Sequence, residues 1–167
     1  MIKPAVLYEE ELTKKLRETW YDEKYKYYHF GNFFTDFDIV KDTFNNHQFV
    51  SVDKNDNILG YFSYGVDRVA YNANEFGIIA FEDYSLTFGK DLHQVFDDVF
   101  NKYGLNKITF FCVVGNPIMP YYIKMINKLG GRYIGVYKNH VKLMDGKIYD
   151  VALFELLKED YTKSVCK

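Results

Sequence analysis

The spacing of apolar and polar positions divides the chain into short, regular elements. Leu12, Leu16 and Trp20 recur every four residues and predict a helix over 7–20. Tyr21, Tyr25 and Tyr28 continue a helical face through a mixed aromatic and charged segment, and Gly31-Asn32 breaks it. A short second helix is expected over 37–44, with Asp36 as its N-cap. Residues 47–52 and 58–66 read as a hairpin, joined by the turn chemistry of Asp53-Lys-Asn-Asp-Asn57. Residues 68–74 lead into a third strand, 76–81, which is apolar enough to be buried on both faces.

Residues 82–90 interrupt that pattern. From Asp91 onward Leu92, Val95, Phe96, Val99, Phe100 and Tyr103 form one apolar stripe, with His93, Gln94, Asp97, Asp98, Asn101 and Lys102 on the other face. This predicts a helix over 91–103. Another apolar strand, 107–114, follows Gly104. Strand, helix and strand at this spacing form a crossover, so the two strands should be parallel and the connection right-handed. Pro117 and Pro120 suit a helix start. Tyr122, Met125, Ile126 and Leu129 keep helical spacing up to Gly130-Gly131. Strands over 133–141 and 149–157 enclose the turn signal Asp145-Gly146, and the tail is polar. The expected fold is a single α+β domain over 1–167. Its sheet is mixed and mostly antiparallel, with one parallel β-α-β crossover and helices on both faces.

Composition narrows the functional classes. The chain holds 21 basic and 23 acidic residues, a net charge of −2, and no basic stripe. Sequence-independent nucleic-acid binding is therefore disfavoured, and so is an aromatic RNA-binding module despite 16 Tyr and 15 Phe. Cys112 and Cys166 are far apart and form no C-x-x-C, which excludes a disulfide framework and a cysteine zinc site. His29, His47, His93 and His140 have no metal-ligand spacing, so no metal is expected. The start Met-Ile-Lys-Pro lacks the apolar core of a signal peptide, and no apolar run approaches the roughly 18 residues of a membrane span. A soluble, cytoplasmic protein is expected. No sequence feature selects between a monomer and a homodimer.

In this order the elements resemble the GNAT superfamily of acyl-CoA N-acyltransferases over nearly the whole chain. Ile58-Leu-Gly-Tyr-Phe-Ser63 is similar to the family's glycine-led third strand. Residues 76–100 resemble its fourth strand, pyrophosphate loop and third helix, and Val114-Gly-Asn116 the end of its fifth strand. Leu143-Met-Asp-Gly-Lys-Ile-Tyr-Asp150 and the Val-Ala-Leu-Phe-Glu-Leu that follows resemble the closing hairpin of the branch that includes ribosomal-protein acetyltransferases. The resemblance implies an N-acetyltransferase. It would move an acetyl group directly from acetyl-CoA to a primary amine, on a protein N-terminus or a small molecule. The alternative is a GNAT-fold binding protein with weak or no transferase activity. Two departures motivate that alternative. The loop reads Leu86-Thr-Phe-Gly-Lys-Asp91, with one glycine where the family has two or three, and Tyr122 lies one helical turn before the family's usual tyrosine.

The residues that would carry the chemistry follow from its demands. Phe88, Gly89, Lys90, Asp91 and Leu92 would hold the CoA pyrophosphate on the backbone amides of a helix N-terminus. Gly89 would permit close approach or a positive φ, and Asp91 would have to point away. Ala80 and Phe81 at the end of the fourth strand, and Asn116 at the end of the fifth, would border the rest of the cofactor. Deprotonating an ε-amine costs roughly 4.6 kcal/mol at pH 7, against about 1 for an α-amine, so a lysine-like acceptor leans on a base. Glu75 and Glu82 are the candidates. Glu82 follows an apolar run, and partial burial there would raise its pKa. Tyr122 is the candidate acid for the leaving thiolate. Cys112, in mid-strand, reads as a buried small hydrophobe rather than a nucleophile.

Overall fold

The structure is a computed structural model that describes residues 1–29, 39 and 44–165. The expected second helix, its Asp36 cap and the Gly31-Asn32 break lie essentially outside the described residues, as does Cys166.

The elements are β1 (Ile2–Pro4), α1 (Glu9–Thr19), β2 (Asn46–Val52), β3 (Ile58–Asp67), β4 (Asn72–Ala80), α2 (Leu86–Asp97), β5 (Lys107–Val113), α3 (Met119–Lys128), β6 (Arg132–Lys142), β7 (Ile148–Leu157) and α4 (Lys158–Val165). One 3-10 segment (Glu23–Tyr28) follows α1, and a π-helical turn (Asp98–Lys102) extends α2. The seven strands form one sheet in the order β1-β2-β3-β4-β5-β7-β6. Among the described residues β4 and β5 alone pair in parallel, and the other neighbours are antiparallel. The expected mixed sheet with one parallel crossover is thus present.

Each face of the sheet has its own core. Phe62, Ile78, Phe96, Phe100, Phe110, Tyr122, Ile126, Phe154 and Tyr161 pack together, so α2, α3 and α4 cover one face. Leu12, Leu16, Tyr25, Val50, Val52, Tyr61 and Ile79 pack together under α1 on the other. Ile78 and Ile79 divide between the two cores because successive strand residues point to opposite faces.

Three elements depart from the sequence expectation. β1 is too short for alternation to show. α4 was read as a polar tail, and its single buried residue, Tyr161, packs on Phe100 with ring centroids 5.0 Å apart. α2 begins at Leu86 rather than Asp91. Ser85 is its N-cap and accepts a hydrogen bond from the Phe88 N–H at 3.2 Å. Leu86 is exposed and Gly89 has no side chain, so the first turn carries no apolar stripe to read.

The segment after α1 is tied back by His29. Thr19 Oγ1 donates to the Leu16 carbonyl at 2.6 Å, so His29 Nε2–H donates to Thr19 Oγ1 at 2.8 Å. Burial holds this imidazole neutral and lowers its pKa to about 4, with Thr19 opposing the shift. The unfolded chain, near 6.5, therefore takes up a proton before the folded one does. The stability from this group is fully present above about pH 6.5 and is lost as pH falls toward 4, by at most about 3 kcal/mol. Urea midpoints at pH 7 and 4.5 should show the loss, and His29→Asn should make it smaller. An equal loss in the variant would assign it to other groups.

Candidate active site

The parallel pair at the centre of the sheet is joined only at its start. Asn72 and Ala73 pair with Lys107 and Ile108, and no pairing continues beyond them. At this vertex Asn72 Nδ2 donates to Thr109 Oγ1 at 3.2 Å. Immediately beyond, β4 carries a bulge. Ser63 pairs with Gly77 and Gly65 with Asn74, so Glu75 and Phe76 together face Tyr64. Glu75 has φ +51°, an unusual conformation for a residue with a side chain. A bulge bends its strand, and here β4 leaves β5 directly after the last paired residue. The two strands diverge toward their carboxyl ends and leave a wedge-shaped gap.

Parity decides which backbone groups face the gap. The Phe81 N–H donates to the Leu59 carbonyl at 2.9 Å. In an antiparallel ladder alternate residues share that direction, so Ile79 and Gly77 also turn to β3. Ile78 and Ala80 therefore turn their N–H and C=O groups into the gap. On the other side the Val114 N–H donates to the Asp150 carbonyl at 2.9 Å. By the same parity Thr109 and Phe111 face the gap from β5. The result is an open strand edge able to pair with an extended, amide-containing chain. Of the two expected strand-end residues, Ala80 faces the gap. Phe81 does not: its N–H is committed to β3. Ile78 was not foreseen, because pairing parity is invisible before the partner strand is known.

The segment Glu23–Tyr28 bridges the mouth of the gap. On the β4 side the Tyr25 hydroxyl donates to the Ala80 carbonyl at 3.0 Å, and Lys24 pairs with Asp83 at 2.8 Å. On the β5 side burial, and next Cys112, raise the Tyr28 pKa, with Asn116 and Tyr122 opposing the shift. Tyr122 belongs to the core under α3, whereas Tyr28 packs against the core under α1. Asn116 is 8% exposed, and its Oδ1 accepts the Ile118 N–H at 3.1 Å. Burial, and next the neighbouring Tyr28, hold the Tyr122 hydroxyl well above the usual tyrosine range. Cys112, 4% exposed, lies in the same cluster, and burial pushes its thiol up to about 12.

The residues expected to form a pyrophosphate loop, 88–92, lie inside α2. Gly89 lies inside the first turn of α2, and its N–H donates to the Ser85 carbonyl at 3.1 Å. It does not adopt a positive φ, one of the two roles expected of it, and an added Cβ there would meet nothing within 4 Å. Lys90, Asp91 and Leu92 follow within the same helix, and the Phe88 N–H is taken by Ser85. The unpaired donors of a helix precede its fourth residue, so here they belong to Ser85, Leu86 and Thr87. Asp91 points away from that end: its Oδ2 accepts from Ser51 Oγ at 2.6 Å and from the Met1 amino group at 2.7 Å. Glu82, beyond the end of β4, is exposed, so the partial burial expected of it is absent. Glu75 is exposed at the bulge rather than placed at a strand end. Among the described residues no group of three or more His, Cys, Asp or Glu is placed to hold a metal ion. Nor is any described helix long and apolar enough to cross a membrane.

No protein-family model matches the chain, and no curated protein does. Solved structures do match. Spermidine/spermine N-acetyltransferase SpeG from Vibrio cholerae, in complex with manganese ions, aligns at a TM-score of 0.61 and 22% identity, over 72% of this chain and 70% of that one. Spermidine N-acetyltransferase from the same organism, in complex with CoA and spermine, gives 0.61 and 22%, over 71% and 69%. A point mutant of that enzyme gives 0.60 and 21%, over 71% and 69%. The fold of this chain is that of the GNAT N-acetyltransferases.

Proposed function

We propose that the chain moves an acetyl group from acetyl-CoA to a primary amine of a small cationic molecule of the polyamine class. The observation that carries this reading is the gap between β4 and β5, with the Ile78 and Ala80 backbone groups turned into it. Acetyl-CoA supplies the activated thioester. Its pantetheine is an extended chain with two amides, which suits an open strand edge. An N–H on that edge would stabilise the oxyanion that forms when the amine attacks. Ser85, Leu86 and Thr87 at the start of α2 would face the pyrophosphate, with open space over Gly89. Lys90 is exposed on that turn. Asn116 would border the thiol end of the cofactor.

Transfer is direct in this reading, because the Cys112 thiol is buried and held protonated. Glu75 and Glu82 stand as the candidate bases, and their exposure suits proton loss through water. The small-molecule acceptor rests on two supports. The neighbouring structures are polyamine acetyltransferases, one of them solved with spermine. A cavity of about 260 Å³ beside the Glu23–Tyr28 segment is lined by Asp22, Glu23 and Asp145 with Lys26, Trp20 and His29, and three carboxylates against one lysine favour a cation.

Calorimetry with acetyl-CoA, followed by thiol release over spermidine, spermine, lysine and a peptide with a free N-terminus, tests the reading. Binding is expected, with the fastest release on the polyamines. Fastest release on the peptide would move the acceptor to protein N-termini. Binding without release on any amine would favour a GNAT-fold binding protein, and absence of binding would end the transferase reading.

A further inference from the structure

We propose that Tyr25 is a positioning residue for acetyl transfer: its hydroxyl holds the last gap-facing peptide of β4 where β5 would hold it in a closed sheet. The assignment rests on the transferase reading above and adds to it a residue of the N-terminal segment.

Along the gap β4 keeps a strand partner on one side only. Among the described residues no β5 residue pairs with it beyond Ala73, whereas its pairing with β3 runs on to Ala80 and Gly60. The last peptide of the strand joins Ala80 to Phe81. Its N–H, on Phe81, donates to the Leu59 carbonyl at 2.9 Å. Its C=O, on Ala80, turns to the gap and accepts the Tyr25 hydroxyl at 3.0 Å, and the Phe81 carbonyl lies 3.4 Å from the same hydroxyl. The peptide plane is therefore held from both sides, as in a continuous ladder, but one of the two bonds comes from a side chain.

That hydroxyl is carried by a ring with little freedom. Tyr25 is 7% exposed and packs in the core under α1 with Leu12, Leu16 and Ile79. Its backbone N–H donates to the Asp22 carbonyl at 2.9 Å, and Lys24 beside it pairs with Asp83 in the loop after β4. Two residues on, Tyr27 meets Tyr149 of β7 with ring centroids 6.1 Å apart, so the segment is also anchored across the mouth. Ala80 turns its N–H and its C=O to the same side of the strand. Fixing the C=O restricts rotation about the Ala80 backbone, and the N–H stays aimed into the gap before any ligand enters. A donor fixed in advance needs no reorganisation when the oxyanion forms. Phenylalanine at position 25 would fill the same core and lose only this tie.

Steady-state thiol release by the full chain, with Tyr25→Phe made alone and in the Ala80→Pro background, tests the assignment. Tyr25→Phe should lower kcat by on the order of tenfold. The acetyl-CoA Kd from calorimetry and the amine KM should stay within about threefold of the parent, a split that a merely structural defect would not give. In the Ala80→Pro background the same change should cost less than about twofold, because the N–H that Tyr25 aims is already gone. Amide hydrogen exchange reads the tie without the reaction: Phe81 should exchange about tenfold faster in Tyr25→Phe, while Phe62 keeps its rate. A kcat within about twofold of the parent, a loss of about tenfold in both backgrounds, or an unchanged Phe81 rate overturns the proposal and leaves the transferase reading standing. Tighter acetyl-CoA binding in Tyr25→Phe overturns it as well, since the hydroxyl would then be competing with the cofactor for the carbonyl. A parent that releases no thiol on any amine overturns both, and that failure shows in the parent itself.

Discussion

Replacing Ala80 by proline should leave the chain folded and lower its transfer rate by roughly 10²-fold, the loss seen when one oxyanion donor is removed. The argument is one of parity. The Ala80 N–H faces the gap and makes no bond to β3, so proline there removes no ladder bond and behaves as at a sheet edge. Its carbonyl, which accepts the Tyr25 hydroxyl, is retained. Moving the proline one residue back reverses the outcome. Ile79 turns its N–H to β3 and its side chain into the core under α1, so Ile79→Pro should cost about 3 kcal/mol or more and unfold much of the population. Circular dichroism melts with thiol-release rates on both variants give the answer. If Ala80→Pro keeps the parental rate and acetyl-CoA affinity, the gap edge is not where the thioester lies.

Gly60→Val should destabilise the fold by roughly 2–3 kcal/mol, the cost of overpacking a tight contact. For a chain of this size that lowers the melting temperature by roughly 5–10 °C. A Cβ on Gly60 would sit 2.2 Å from a Phe88 ring atom and 2.6 Å from the Ile79 backbone oxygen. Phe88 lies in the first turn of α2 and stacks on Phe62 with centroids 4.7 Å apart. The bare patch on β3 therefore lets the ring, and with it the start of α2, settle beside the end of β4. The glycine of Ile58-Leu-Gly-Tyr-Phe-Ser63 acquires a physical reason in this contact. Phe88→Ala in the Gly60→Val background should recover part of the loss in a double-mutant cycle. The carbonyl of Ile79 sets a limit to that recovery. Strictly additive effects would show that the ring contact does not carry the cost.

Much of the fold was legible because burial writes itself into local periodicity. The stripe of Leu92, Val95, Phe96, Val99 and Phe100 is buried as its spacing requires, and these residues form one core with Ile108, Phe110 and Phe154. The turn at Asp145-Gly146 and the break at Gly130 are likewise local events, and both glycines take positive φ. Elements were missed where that signal is thin. β1 spans three residues, α4 buries one, and the opening of α2 rests on the Ser85 cap instead of on any apolar face. The candidate site was legible only in outline. Asn116 and Tyr122 stand out as candidates by their position in the chain, whereas Tyr28 falls in an aromatic run whose spacing reads as a helical face.

What the sequence determined by itself, then, is the order and type of most of the described elements and the single parallel crossover at their centre. Helical and strand spacing are properties of neighbours in the chain, and a strand-helix-strand connection has one favoured hand. The tertiary structure alone decided that β4 and β5 part after Ala73 and that Ile78 and Ala80 face the opening. Each of these depends on which strand pairs with which and where the pairing stops. That is settled by the bulge at Glu75 and by contacts between residues distant in sequence, to which local spacing is blind.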